Sequence, residues 1–308
     1  MIAGSWTFDP VAAMLIAVCI GGFLWARRRT SVSRAQWWCF GIAIGVWALA
    51  AFSAIAVYAP LLFWVRALQV LLMLYVVPFF LAMSRPVGTL RAALGPAGQQ
   101  RVDAVLGSAA ARVLLSPPVT SVLMLATPWL LYLTPWYVAS MTGALATVTQ
   151  IVLLAIGFGY FYARLQTDPV PRRYPPLLSI GISVAEGLGD GILGLVLWLG
   201  PVIAYDYYAG LNRDFGPSIR EDQTWGAGVL WILGDVLGVP FIMLLMRALG
   251  SDERRKAAEV DAELDAAAAA QASPPRESAA ETESETEPEA PTSGLWWQND
   301  PQLRDRYR

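Results

Sequence analysis

Runs of about twenty mostly apolar residues recur through the first 248 positions, separated by short polar or arginine-bearing stretches. A run of that length crosses the hydrocarbon core of a bilayer as a helix. Spanning backbone must satisfy its own polar groups, which leaves only helices or closed barrels. The pattern predicts an all-α, polytopic membrane helix bundle. Seven transmembrane helices are expected, at about Phe8–Ala26, Gln36–Tyr58, Leu62–Ser84, Val119–Thr134, Tyr137–Tyr162, Leu177–Tyr205 and Trp225–Ala248. The fourth is short and holds Pro128. A 56% hydrophobic composition agrees, since soluble domains are about 45–50% apolar.

Arginine placement orients the bundle. Arg27, Arg28, Arg29 and Arg34 follow the first run, Arg85, Arg91, Arg101 and Arg112 the third, and Arg164, Arg172 and Arg173 the fifth. Arg247, Arg254, Arg255 and Lys256 follow the seventh, whereas the alternate loops hold only Arg213 and Arg220. Seven spans put the two sets on opposite faces. The N-terminus is therefore expected outside and the C-terminus in the cytoplasm of a bacterial cell membrane. No positive segment or small-residue cleavage site brackets the first run, so that span is expected to be retained. The 85–117 stretch is too polar to span, and Val87–Leu106 reads as an amphipathic helix on the inner surface.

Charge divides the chain further. From Leu249 onward fourteen Asp/Glu accompany seven Lys/Arg, against ten and fifteen before it. The expected organisation is a membrane domain over 1–248, a cytoplasmic charged helix over 249–271, a disordered acidic linker over 272–293, and an aromatic/basic peptide over 294–308 that reads as a docking end.

Several chemistries are excluded. Histidine is absent, which removes His-based acid–base catalysis, His metal ligation and His-ligated haem. Cys19 and Cys39 form no metal-binding or redox pair. No nucleophile elbow, phosphate loop or dinucleotide fingerprint occurs, so neither an enzymatic activity nor a nucleic-acid partner is expected, and no cofactor is assigned. Cys19, Cys39, Met73, Met124 and Met141 are soft enough for Cu(I), but nothing in their spacing pairs them, and apolar packing is the ordinary role of a free Cys.

Polar residues inside apolar runs are the remaining candidates. Arg66, Gln69 and Met73 share a helix face at i, i+3 and i+7. Glu186 and Asp190, at i and i+4 in a glycine-rich span, share another, and Asp235 lies inside the seventh. Ionisable groups in spans face a protein interior or a hydrated cavity. The expected arrangement is one polar cavity containing Arg66, Gln69, Glu186, Asp190 and Asp235 and opening to the outer face, with Arg66 neutralising Asp190 or Asp235 or else reaching outward. Such a cavity handles a cation or proton; the alternative is an interhelical hydrogen-bond network.

The order of features resembles the CtaG-type cytochrome c oxidase assembly proteins, over about Trp6 to Asp265. The resemblance is carried by Trp6–Pro10, by Gln69 with Pro78, Arg85-Pro86 and Leu90-Arg91, by Asp168-Pro169-Val170-Pro171, and by Tyr207-Tyr208. Its most specific piece is Asp222, Gln223, Gly226, Gly228, Trp231, Gly234 and Asp235 entering the seventh run. Trp296-Trp297 with Asp300-Pro301 resembles tails of actinobacterial members. The resemblance implies a role in oxidase maturation, with copper delivery to the oxidase's outer-side copper centre and oxidase subunits as partners. It also marks a departure. The family's third span reads His-x-x-Gln-His; here Arg66 and Val70 stand at the histidine positions, and a further family histidine falls near Thr149 or Gln150. The reading is therefore an integral membrane assembly or accessory factor acting by protein–protein contact, with the copper step altered. The alternatives are an ion or small-molecule transporter using the intramembrane carboxylates, and a Met/Cys copper carrier.

Overall fold

The computed structural model describes residues 6–171, 174 and 176–272. The acidic-linker and C-terminal-peptide expectations lie outside the described residues, apart from the position at which the linker begins. Two compact units are present, Met1–Lys256 and Ala257–Arg308. In the described part of the second, helix continues to Ala272 and side chains through Ala268 are exposed.

Every regular element among the described residues is helical. Asp9 caps α1 (Pro10–Arg27), accepting from the amides of Val11 and Ala12, with Pro10 at the first helical position. That residue order suits a helix start, because proline's missing N–H is not needed there. α2 (Arg34–Phe52) opens on a Ser33/Gln36 capping box, and Ser53 divides it from α3 (Ala54–Tyr58). The third run is α4 (Phe63–Leu71), a π-helical turn (Leu72–Val76) and α5 (Val77–Met83). Pro78 explains the turn. It has no N–H for the Leu74 carbonyl, and the Val77 amide instead reaches back to Leu72.

The expected Val87–Leu106 helix is two helices, α6 (Pro86–Ala93) and α7 (Pro96–Leu106), because Pro96 breaks the run. A third, α8 (Ala109–Leu114), follows from the Ser108 cap. The fourth run is α9 (Pro117–Leu133), followed by the single-turn α10 (Trp136–Ala139). The fifth span begins six residues later than expected, as α11 (Gly143–Leu165), because the chain bends at Gly143 with φ +68°. α12 (Pro176–Leu199) stops short of the expected Tyr205 at Gly200-Pro201. After α13 (Tyr205–Gly210), a Ser218/Glu221 capping box starts α14 (Ile219–Gly228), which passes through a π turn (Val229–Leu233) into α15 (Gly234–Ala272).

Among the described residues six helices are long and apolar enough to cross a membrane: Pro10–Arg27, Arg34–Tyr58, Phe63–Met83, Gly143–Leu165, Leu177–Leu199 and Ile219–Ala268; α9 is apolar but shorter. The core forms around the Phe63–Met83 span. Val70, Met73, Leu74 and Val77 are buried with Trp47, Met124, Leu131, Leu153 and Phe161. Exposed large side chains are mostly apolar, including Val18, Trp38, Val122, Leu188 and Met243, as expected for surfaces facing lipid.

Candidate functional site

The five expected cavity residues divide between two places. Arg66 and Gln69 form the first. Arg66 is 3% exposed, so it does not reach outward. Its Nη1 donates to Gln69 Oε1 at 2.8 Å and its Nη2 to Ser140 Oγ at 2.8 Å. Gln69 Nε2 donates to the Ala50 carbonyl at 2.9 Å, tying the span to α2. Neither Asp190 nor Asp235 pairs with Arg66. Among the described residues its partners are neutral, and Arg66 Nε has none. Tyr132, whose hydroxyl also lacks a partner, packs with Phe63 and Tyr137. The Tyr137 and Tyr208 hydroxyls bond at 2.7 Å. Burial raises both phenols above their ordinary values, so both stay protonated.

The carboxylates form the second place, around a cavity of about 90 Å³. Its organising cation is Arg164, expected in the loop after the fifth run. Arg164 lies inside α11, 1% exposed. Its Nη1 meets Glu186 Oε2 at 2.7 Å, and Tyr160 Oη donates to the same oxygen at 2.6 Å. Arg164 also donates to Ser183 Oγ and the Ser179 carbonyl, and its guanidinium lies over the Tyr160 and Phe241 rings. Two donors converge on Oε2 and leave Glu186 Oε1 without a partner. Tyr75, carried by the π turn of the third span, donates to Asp190 Oδ2 at 2.8 Å. Asp235, just after the second π turn, lines the same cavity. Single π turns re-aim side chains and occur often at functional sites; both adjoin this one. Tyr75, Tyr160 and Arg164 were not singled out in the sequence, though the i, i+4 spacing of Tyr160 and Arg164 was a usable signal.

The Asp222-to-Asp235 motif joins elements. Asp222, 1% exposed, accepts from the Phe63 and Trp64 amides, both at 3.0 Å, and so caps α4 from a distant segment. It also pairs with Arg213 at 2.9 Å. Gln223 repairs the end of α12. Pro201 cannot supply an N–H to the Leu197 carbonyl, and Gln223 Nε2 donates to it at 2.7 Å while Oε1 accepts from the Ile203 amide. A Cβ on Gly226 would come within 2.3 Å of the Phe63 ring, and one on Gly194 within 2.9 Å of Trp231. Asp168 does comparable work elsewhere, accepting from the Val87 and Gly88 amides at 2.9 and 2.7 Å. Burial raises its carboxyl, and those two bonds oppose the rise.

The positions at which the resemblance places histidines do not fit copper. A guanidinium occupies the first, hydrogen-bonded to the retained Gln69. Val70 is 1% exposed within the apolar core. Thr149 Oγ1 accepts from Trp136 Nε1 at 2.9 Å. Met73, Met124 and Met141 are buried in the same core, and Cys19 lines an apolar groove with Phe23 and Phe40. Among the described residues, no three His, Cys, Asp or Glu side chains gather closely enough to hold one ion.

The family model for the cytochrome c oxidase caa3 assembly factor matches residues 19–250. Uncharacterized proteins of Mycobacterium bovis, Mycobacterium tuberculosis and Mycobacterium leprae are each 26% identical over 272 residues. Those matches cover 83% of this chain and 41% of each relative, so the chain spans about two fifths of their length. No solved structure matches.

Proposed function

The chain belongs to the cytochrome c oxidase caa3 assembly factor family, and on that premise we propose that it is a membrane accessory factor for cytochrome c oxidase that acts by contact with oxidase subunits and not by carrying copper or catalysing a reaction. Its body is proposed to span the bacterial plasma membrane seven times, α9 supplying the seventh crossing beside the six longer helices, with the N-terminus outside and the C-terminus in the cytoplasm. The arginine distribution supports that orientation. On it, 249–271 is a cytoplasmic charged helix.

One observation supports the altered copper step above others. The buried Arg66 guanidinium occupies the expected ligand position and holds the retained Gln69 through a hydrogen bond. A fixed positive charge there repels Cu(I) and Cu(II), and the amide that would border a metal site is engaged. The Asp222, Gln223 and Gly226 motif is assigned to holding the bundle together, consistent with its caps and close contacts.

Two measurements test the reading. Purified full-length protein, reduced and incubated with Cu(I), is expected to retain well under one copper per chain. A deletion strain is expected to lose most assembled haem–copper oxidase, and added copper is expected not to restore it. Stoichiometric copper retained after chelator washing would contradict the altered step, and unaffected oxidase would contradict the accessory role.

A further inference from the structure

The carboxylate cavity has one unfinished side. Asp235, Gly238 and Ile242 stand at i, i+3 and i+7 on α15, share a face, and all line the cavity. Asp235 is exposed, and Ile242 is 37% exposed. Across the cavity, α12 presents Glu186, Gly187 and Asp190. Higher up, Trp231 closes the contact between these helices by packing on Gly191 and Gly194. A Cβ on Gly187 or Gly238 would meet nothing within 4 Å. The helices therefore part below Trp231 and leave a gap with smooth, glycine-lined walls.

The gap is also short of positive charge. Tyr75, Tyr160, Arg164, Glu186, Asp190 and Asp235 are its titratable or charged groups, and α9 contributes only Met124 and Leu125. Arg164 serves Glu186. Among the described residues Asp190 has a tyrosine donor and no cation, and Asp235 has no ion pair. Glu186 is 9% exposed and, among the described residues, has an oxygen without a hydrogen-bond partner. That buried, unpartnered oxygen is independent of the charge count, and it too can accept from a donor.

We infer that this gap is a docking groove for a transmembrane helix of a partner protein that carries a lysine or arginine at mid-depth. The inference rests on the accessory-factor reading and specifies the contact surface. Three arguments select this occupant. Asp190 lies past the midpoint of the 24-residue α12, and Val184, Leu188, Val236 and Val239 beside the lining residues are exposed and apolar, so the mouth of the gap faces hydrocarbon, where a hydrated ion has no route and a neighbouring helix does. The carboxylates are too dispersed to surround one ion, whereas a long basic side chain supplies several donors along its reach. Small residues on both walls let helix backbones approach closely, which is how membrane helices associate.

The test uses the purified full-length protein in lipid vesicles and a fluorescent 21-residue Leu/Ala transmembrane peptide with one central Lys or, as comparator, one central Gln. Energy transfer is expected to report at least about tenfold tighter association of the Lys peptide, given the cost of an unpaired membrane charge. Asp190→Asn with Asp235→Asn is expected to abolish that preference. Gly187→Leu with Gly238→Leu, which keeps the acids and fills the gap, is expected to abolish association of the Lys peptide. Equal binding of the two peptides to the unaltered protein, or a preference that survives the Asn pair, overturns the inference. So does stabilisation by Na⁺ that the Asn pair removes without any peptide preference, because the gap would then take a small cation. In cells, an Asn pair that fully restores oxidase to the deletion strain overturns the groove and leaves the accessory reading standing. Normal oxidase in the deletion strain itself would instead remove that reading, whatever the peptides do.

Discussion

Arg66 and Arg164 are both buried guanidiniums, and their surroundings assign them opposite energetics. Arg164 neutralises Glu186 at 2.7 Å; removing it strands a buried carboxylate. Arg164→Met is expected to destabilise the protein by about 3–5 kcal/mol, read as a lower thermal midpoint in detergent. Arg66 has only neutral partners among the described residues. Its desolvation is offset by hydrogen bonds alone, so Arg66→Met is expected to change stability by no more than about 1 kcal/mol in either direction. Equal destabilisation by the two changes would show that Arg66 has a counter-charge. The sequence made Arg66 visible because it interrupts an apolar run. Arg164 was hidden by position: with Arg172 and Arg173 close behind it, it looked like loop, and composition does not locate the last turn of a helix. The pairing of Arg66 with Asp190 or Asp235 failed for a related reason. Charge counting sees how many acids and bases share a membrane, but not their register.

At the scale of elements, backbone groups released by proline dictate where neighbours pack. Pro78 frees the Leu74 carbonyl, and α11 answers with Gly157, where an added Cβ would sit 2.0 Å from that oxygen. Gly157→Ala is expected to cost about 1–3 kcal/mol through overpacking, whereas Gly21→Ala, with nothing within 4 Å, is expected to be neutral or stabilising as a helix propensity change. Indistinguishable melting curves for the two would show that α11 does not seat on the third span in this way. Asp222 is the corresponding device at the start of α4. Asp222→Ala removes two caps and leaves Arg213 buried without its carboxylate, and is expected to lower stability by about 3–5 kcal/mol. The apolar runs were legible because hydrophobic length survives without tertiary information. The π turns, the division of the Val87–Leu106 helix and the late start of α11 were not, because they depend on prolines and on Gly143 acting within a packed bundle.

For the whole molecule, the helical class and the oxidase-assembly family were readable from apolar runs and from the Asp222–Asp235 motif, and the family match over residues 19–250 agrees. The candidate site was only half readable. Its acids were named, but their cation and tyrosine donors come from α11 and the third span, which only folding brings together. This chain is proposed to support oxidase assembly through membrane contacts and without a copper site of its own. The most direct test is the amount of assembled, active haem–copper oxidase in membranes of a deletion strain, with and without added copper, and after return of the gene. A large loss in the deletion strain, no recovery with copper, and full recovery with the gene are expected. Complete recovery with copper alone would contradict that proposal.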